Sequence, residues 1–143
     1  MRAPSPDISP SPIHLVLPAR PDTIPRVRRA IEHAAAEARL PRTVVDDARL
    51  AVTEACTNVV RHAYDPDEAA QPEFEVRVEP APGTMRVVVE DQGRGLGPSP
   101  DDAGPGLGLR LIAVLTSRLE VEPGHTRGTR LSMCFAAGPG RCA

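Results

Sequence analysis

Two groups of residues in this sequence are spaced for chemistry. In the stretch from Thr43 to Tyr64, Glu54, Asn58 and His62 recur at steps of four. On a helix they stack along one line beside an apolar stripe of Val44, Ala48, Ala51, Val52, Ala55, Val59 and Ala63. A carboxylate and a carboxamide one turn apart, at the margin of a buried face, can act on one ligand. The amide oxygen is a hard-metal ligand and the carboxylate a proton acceptor. Taken alone, the pattern equally describes a helix with a polar shoulder.

The second group is a series of glycines. Asp91 is followed by Gly93 and Gly95. A carboxylate at the end of a strand can accept a hydrogen bond from an exocyclic amine, and glycines let backbone approach a flat ring. Gly104, Gly106 and Gly108 then open a helical stretch. Backbone amides at a helix N-terminus attract anions, which suits phosphates. The series lacks the GxxxxGK(S/T) of a Walker loop. It is not a Rossmann fingerprint either, because no parallel strand with an acid about twenty residues on follows it.

Positioning these residues requires a particular series of elements. Residues 1–12 hold four prolines and few apolar side chains, so they predict a disordered tail. Ile13–Leu17 reads as an edge strand closed by Pro18, with His14 facing solvent. Asp22 or Thr23 can cap a helix with Pro25 in its first turn and the stripe Val27, Ala30, Ile31, Ala34, Ala35, Ala38, running to Leu40. Arg26, Arg28, Arg29 and Arg39 line its other faces, as a solvated surface or a dock for an acidic partner. Pro41 stops that helix, Thr43 can cap the next, and 65–72 is a loop.

Phe74–Glu79 and Thr84–Glu90 alternate around a turn at 80–83 and predict a hairpin. Val87, Val88 and Val89 are apolar on both faces, which places the second strand near the middle of a sheet. Residues 92–105 form a long segment without structure of its own, of the kind that serves as a functional loop. A helix over 106–117, a short strand over 119–122 and a strand over 128–136 complete the order. The whole predicts an α+β two-layer sandwich: a mixed sheet covered on one face by three helices. Residues 13–137 form its one domain, and 138–143 are expected to fray.

Composition excludes other classes. Seventeen Lys and Arg, all arginine, against nineteen Asp and Glu leave a net charge of −2. With two Phe, one Tyr and no Trp, neither a basic footprint nor a stacking platform for direct nucleic-acid binding is present. Cys56, Cys134 and Cys142 have no metal-ligand spacing and predict reduced thiols in a cytoplasmic protein. No apolar run long enough for a membrane span and no secretion leader is evident.

In this order, Glu54 and Asn58 with His62-Ala63-Tyr64, then Asp91, Gly93 and Gly95, then Gly104, Gly106 and Gly108, then Gly128-Thr129, the chain resembles the ATPase domain shared by gyrase, a heat-shock chaperone, histidine kinases and mismatch-repair ATPases (the Bergerat fold). More closely, it looks like the anti-sigma-factor serine/threonine kinases of bacterial partner-switching systems. The resemblance implies that Asn58 holds Mg²⁺ at the ATP phosphates and that Glu54 is the general base toward a substrate serine. It implies that Asp91 reads the adenine amino group with Thr129 in support, and that Gly93 and Gly95 let the base pack close. Gly104, Gly106, Leu107 and Gly108 would bind ATP and hinge a lid over 96–105. The implied partners are a sigma factor and its antagonist protein, with a homodimer allowed. Between Gly95 and Gly108 no Lys or Arg occurs, which departs from many such kinases; Arg94 or Arg110 could substitute. The alternative expectation is an ATP-binding regulatory module with weak or no transfer. A stand-alone histidine-kinase-type catalytic domain is a third.

Overall fold

The structure is a computed structural model and describes residues 11–63, 72–91, 105–125, 128–139 and 142, with backbone alone for 63 and 105–107. Alternating and helical patterns become β1 (Ile13–Pro18), α1 (Ile24–Glu37), α2 (Arg42–Ala63), β2 (Glu73–Ala81), β3 (Thr84–Asp91), α3 (Pro105–Leu115), β4 (Arg118–Pro123) and β5 (Thr129–Ala136). The strands form one sheet in the order β1-β2-β3-β5-β4. The helices lie on one of its faces: α1 packs on β1 and β2, α2 on β3 and β5, and α3 on α2 and β4.

The two-layer class stands, but all four described strand pairings are antiparallel, so the sheet is not mixed. The reason is where the crossover lands. The chain leaves β3, passes through α3 and sets β4 down one place beyond the neighbouring position, and β5 then turns back into the gap. β3 and β4 therefore run the same way without being hydrogen-bonded to each other. β3 is the central strand, as its apolar triplet requires, with Val87, Val88 and Val89 all buried.

Odd-numbered residues of β3 and β5 face the helices, and Met85, Val87, Val89, Leu131, Met133 and Phe135 are buried there. Against them pack Ala34, Ala35, Ala48, Ala51 and Ala55, whose small side chains let α1 and α2 lie close to each other and to the sheet. Among the described side chains of α3, Ile112 is the fully buried one. Its burial contributes about 1.5–3 kcal/mol and pins that helix to the core.

Two helix ends differ from expectation. Thr23 stands at the N-cap of α1, after a short 3₁₀ turn over Pro21–Thr23. Its hydroxyl donates toward the carbonyls of Arg20 (2.7 Å) and Pro18 (3.1 Å) instead of accepting a helix N–H. α1 ends at Glu37, before Pro41 could stop it, because Arg39 turns left-handed with φ 59°. The amides of Leu40 and Arg39 then donate to the carbonyls of Ala35 (3.0 Å) and Ala36 (3.1 Å), the paired bonds of a Schellman end. The Pro41 carbonyl, not the Thr43 side chain, stands at the start of α2, accepting from Val45 at 3.1 Å. Arg42 braces the two helices through Glu32 (3.1 Å) and Asp46 (2.8 Å).

The thiols also depart from expectation. Cys134 of β5 and Cys142 are joined by a disulfide, so these two cysteines are not reduced. Their separation of eight residues carries no signal of this pairing.

Candidate functional site

Helical periodicity makes α2 amphipathic, and that periodicity decides which residues sit at its margin. Ala51, Val52, Ala55 and Val59 are buried, while Glu54 and Asn58 are half-buried beside them, one turn apart. Cys56 lies between them in sequence but on the core side. Burial pushes its thiol up to about 12, which favours the protonated form. His62 is exposed on the last turn.

Of the glycine series, Gly108 meets this helix. Gly108, in the second turn of α3, lies against the Asn58 carboxamide: a Cβ there would stand 2.7 Å from Nδ2 and 3.4 Å from Oδ1. The missing Cβ is thus a cradle for the amide. The opening of α3 and the polar shoulder of α2, fifty residues apart in the chain, are brought into contact. A helix start offers amide donors to an anion, and a neighbouring amide oxygen suits a hard cation. Among the described residues no group of three His, Cys, Asp or Glu converges as a metal cage. Asn58 could serve as a single protein ligand to a hard cation such as Mg²⁺.

The second pairing is at the ends of β3 and β5. Asp91 and Thr129 are buried, at 3% and 7% exposure, and continue the helix-facing rows of the two strands. The strand register ends at Glu90 opposite Arg130, so Asp91 and Thr129 are the next residues along. Gly128 has φ +85°, and its α-carbon faces Asp91 so closely that a Cβ would run into the Asp91 carbonyl and lie 2.8 Å from Oδ1. Only glycine fits there. Sequence reasoning counted Gly128 as part of a motif without assigning it this contact; the Gly-Thr pair before an alternating strand was the available signal.

Of the remaining expected positions, Gly106 and Leu107 lie on the first turn of α3. Gly93, Gly95, Gly104 and Arg94, and all of the expected 96–105 lid but its last residue, fall outside the described residues. Arg110 is exposed on α3. Of the arginines on α1, Arg28 donates from Nε to the Thr53 hydroxyl at 3.1 Å, next to Glu54.

An antiparallel sheet covered on one face, with its acid at a central strand end and its carboxamide under a glycine-opened helix, is the arrangement of a histidine kinase-like ATPase domain. The sequence matches that domain family over residues 17–135. The serine-protein kinase RsbW of Bacillus licheniformis is 31% identical over 125 residues, covering 77% of each chain. RsbW of Halalkalibacterium halodurans is 31% identical over 129 residues, covering 79% of this chain and 76% of the relative. A crystal structure of the RsbU and RsbW domains of a Mycobacterium tuberculosis protein superposes on 93% of this chain with a TM-score of 0.64 and 25% identity. This chain spans 32% of that longer one. The chain belongs to the histidine kinase-like ATPase domain family, in the branch of the RsbW serine-protein kinases, the anti-sigma-factor kinases.

Proposed function

We propose that this protein is an ATP- and Mg²⁺-dependent serine kinase that sequesters a sigma factor and phosphorylates that factor's antagonist on a serine. The observation that supports it most directly is the contact between Gly108 and Asn58, which sets a carboxamide, a group able to ligate a hard cation, beside the start of a helix. In this reading Asn58 holds the metal, which supplies charge neutralisation at the phosphates when bound. Amides at the start of α3, Gly106 to Gly108, face the phosphate oxygens. Asp91, with Thr129 beside it, accepts from the adenine amino group.

Glu54, one turn before Asn58, takes the proton of the substrate serine as its oxygen attacks the γ-phosphorus. The bond from that phosphorus to the ADP oxygen breaks in the same displacement. The exposed arginines Arg26, Arg28 and Arg29 of α1 give the partner a basic surface. Partners of this kind favour a cytoplasmic protein. Among the described residues no helix is long and apolar enough to cross a membrane.

A second reading is favoured by one sequence feature: no Lys or Arg stands between Gly95 and Gly108 to meet the γ-phosphate. On that reading the domain binds ATP as a switch and transfers slowly. The test is γ-labelled ATP with a candidate antagonist, using the parent and Glu54→Ala. The kinase reading expects label on a serine, abolished by Glu54→Ala with ATP binding retained. Full transfer by Glu54→Ala would remove Glu54 from the role of base. Magnesium-dependent binding without transfer to any antagonist would favour the switch.

A further inference from the structure

The chain just after β4 is held at His125 from the sheet face opposite the helices. There Glu90, with its side chain 16% exposed, accepts the backbone N–H of His125 at 3.0 Å on Oε2. The same oxygen lies 3.3 Å from His125 Nδ1. Within the turn, the Gly124 N–H donates to the Gly128 carbonyl at 3.0 Å. Gly128 in turn rests against Asp91, one residue along from Glu90. Glu90 thus grips one limb of the turn while the other limb abuts the backbone and carboxylate of its own neighbour. In register with Glu90 stand Arg130 on β5 and Glu75 on β2.

We propose that Glu90 is a positioning residue that sets the base selectivity of the nucleotide site, by holding Gly128 where it confines the Asp91 carboxylate. This rests on the reading of Asp91 as the group that meets the adenine amine. The chemistry is directional. Adenine presents a donor to that carboxylate, whereas guanine presents a carbonyl oxygen at the same position, which an immobile carboxylate repels. A carboxylate free to swing away from Gly128 would lose the first contact and relieve the second. Selectivity therefore depends on the turn being held, and the hold is a bond to main chain. It needs an acceptor oxygen at the reach of a glutamate, and needs neither the charge nor the imidazole.

The experiment is calorimetric titration of the full chain with ATP and, separately, GTP, for the parent, Glu90→Ala, Glu90→Asp and Glu90→Gln, each checked for folding by circular dichroism. Glu90→Gln keeps an acceptor at the same reach and is expected to retain the parent ratio of ATP to GTP affinity. Glu90→Asp keeps the charge but withdraws the oxygen by one methylene. It is expected to behave as Glu90→Ala, with ATP affinity down about tenfold and the ratio reduced by at least as much. An unchanged ratio in Glu90→Asp and Glu90→Ala overturns the proposal, and so does an equal loss for both nucleotides, the mark of a merely structural role. A Glu90→Gln protein as impaired as Glu90→Ala also overturns it. A parent that binds both nucleotides alike overturns the reading of Asp91 itself, and the positioning role with it.

Discussion

Replacing Gly108 with alanine probes the contact on which the metal reading rests. The new Cβ would lie 2.7 Å from Asn58 Nδ2, and 3.4 and 3.5 Å from Oδ1 and Cγ. Only the first is an overlap, about 0.7 Å inside van der Waals contact. The softer partner yields. The terminal torsion of an asparagine is broad, whereas α3 is pinned by fully buried Ile112. A rotation of about 30–40° clears the overlap and costs on the order of 0.5–1.5 kcal/mol. Exchanging a helical glycine for alanine returns about 1 kcal/mol. Stability should therefore stay within about 1 kcal/mol of the parent, a Tm change of no more than about 5 °C.

The same rotation misdirects the amide oxygen, and disturbing the group that orients a metal ligand typically lowers affinity by about 10–100-fold. Thermal unfolding alongside titration with ATP, with and without Mg²⁺, reads both effects. The expected result is a folded protein whose Mg²⁺-dependent affinity falls by that factor while its Mg²⁺-free affinity is kept. Parent-like Mg²⁺-ATP affinity in a folded Gly108→Ala protein would refute the role of Asn58 at the metal. A stability loss above about 3 kcal/mol would refute the argument that the amide yields.

At Gly128 the obstacle is backbone, so Gly128→Ala should destabilise by about 2–5 kcal/mol in urea unfolding, from left-handed strain plus overlap with Asp91; a parent-like midpoint would mean that the turn shifts freely. Arg39→Gly should stabilise by about 0.5–1 kcal/mol, since the left-handed φ of 59° penalises any side chain more than glycine's added unfolded-state freedom offsets. A measured loss would show that the Arg39 side chain matters more than its backbone. Glu32 is held below its ordinary carboxyl value of 4.5, chiefly by its hydrogen bond from Arg42. Its folded value being the lower one, the pair adds stability above about pH 4.5 that is lost as pH falls through the folded value. Urea midpoints of the parent and Glu32→Gln should therefore differ at pH 7 and converge by pH 3; a gap that persists in acid would contradict the assignment.

How much of this molecule is legible in its sequence depends on the range over which each feature is decided. Period-two alternation in β2 and β5 and the helical stripe of α2 name the buried faces, because which side of an element turns inward is a local property of spacing and polarity. The pairing of Glu54 with Asn58 follows from the same geometry. The valine triplet of β3 is apolar on both faces, and this places the strand at the sheet's centre. Local signals of this kind carry the layer architecture and nominate the site residues.

What spacing cannot encode is which surfaces meet. Whether β4 settles beside β3 or one place further out depends on α3 finding its place against α2, and that choice turned an expected mixed sheet into an antiparallel one. The end of α1 was decided by a left-handed arginine whose amide bonds to Ala36, although the proline two residues later was the visible stop signal. The disulfide of Cys134 and Cys142 depends on where the two thiols come to lie in the fold, which their spacing does not encode. Asn58 against Gly108, and Asp91 against Gly128, are contacts across fifty and thirty-seven residues of chain. The sequence by itself determined which residue types were available at those places. Tertiary packing decided that they touch, because long-range contact follows from how whole faces fit together and not from the order of residues along either one.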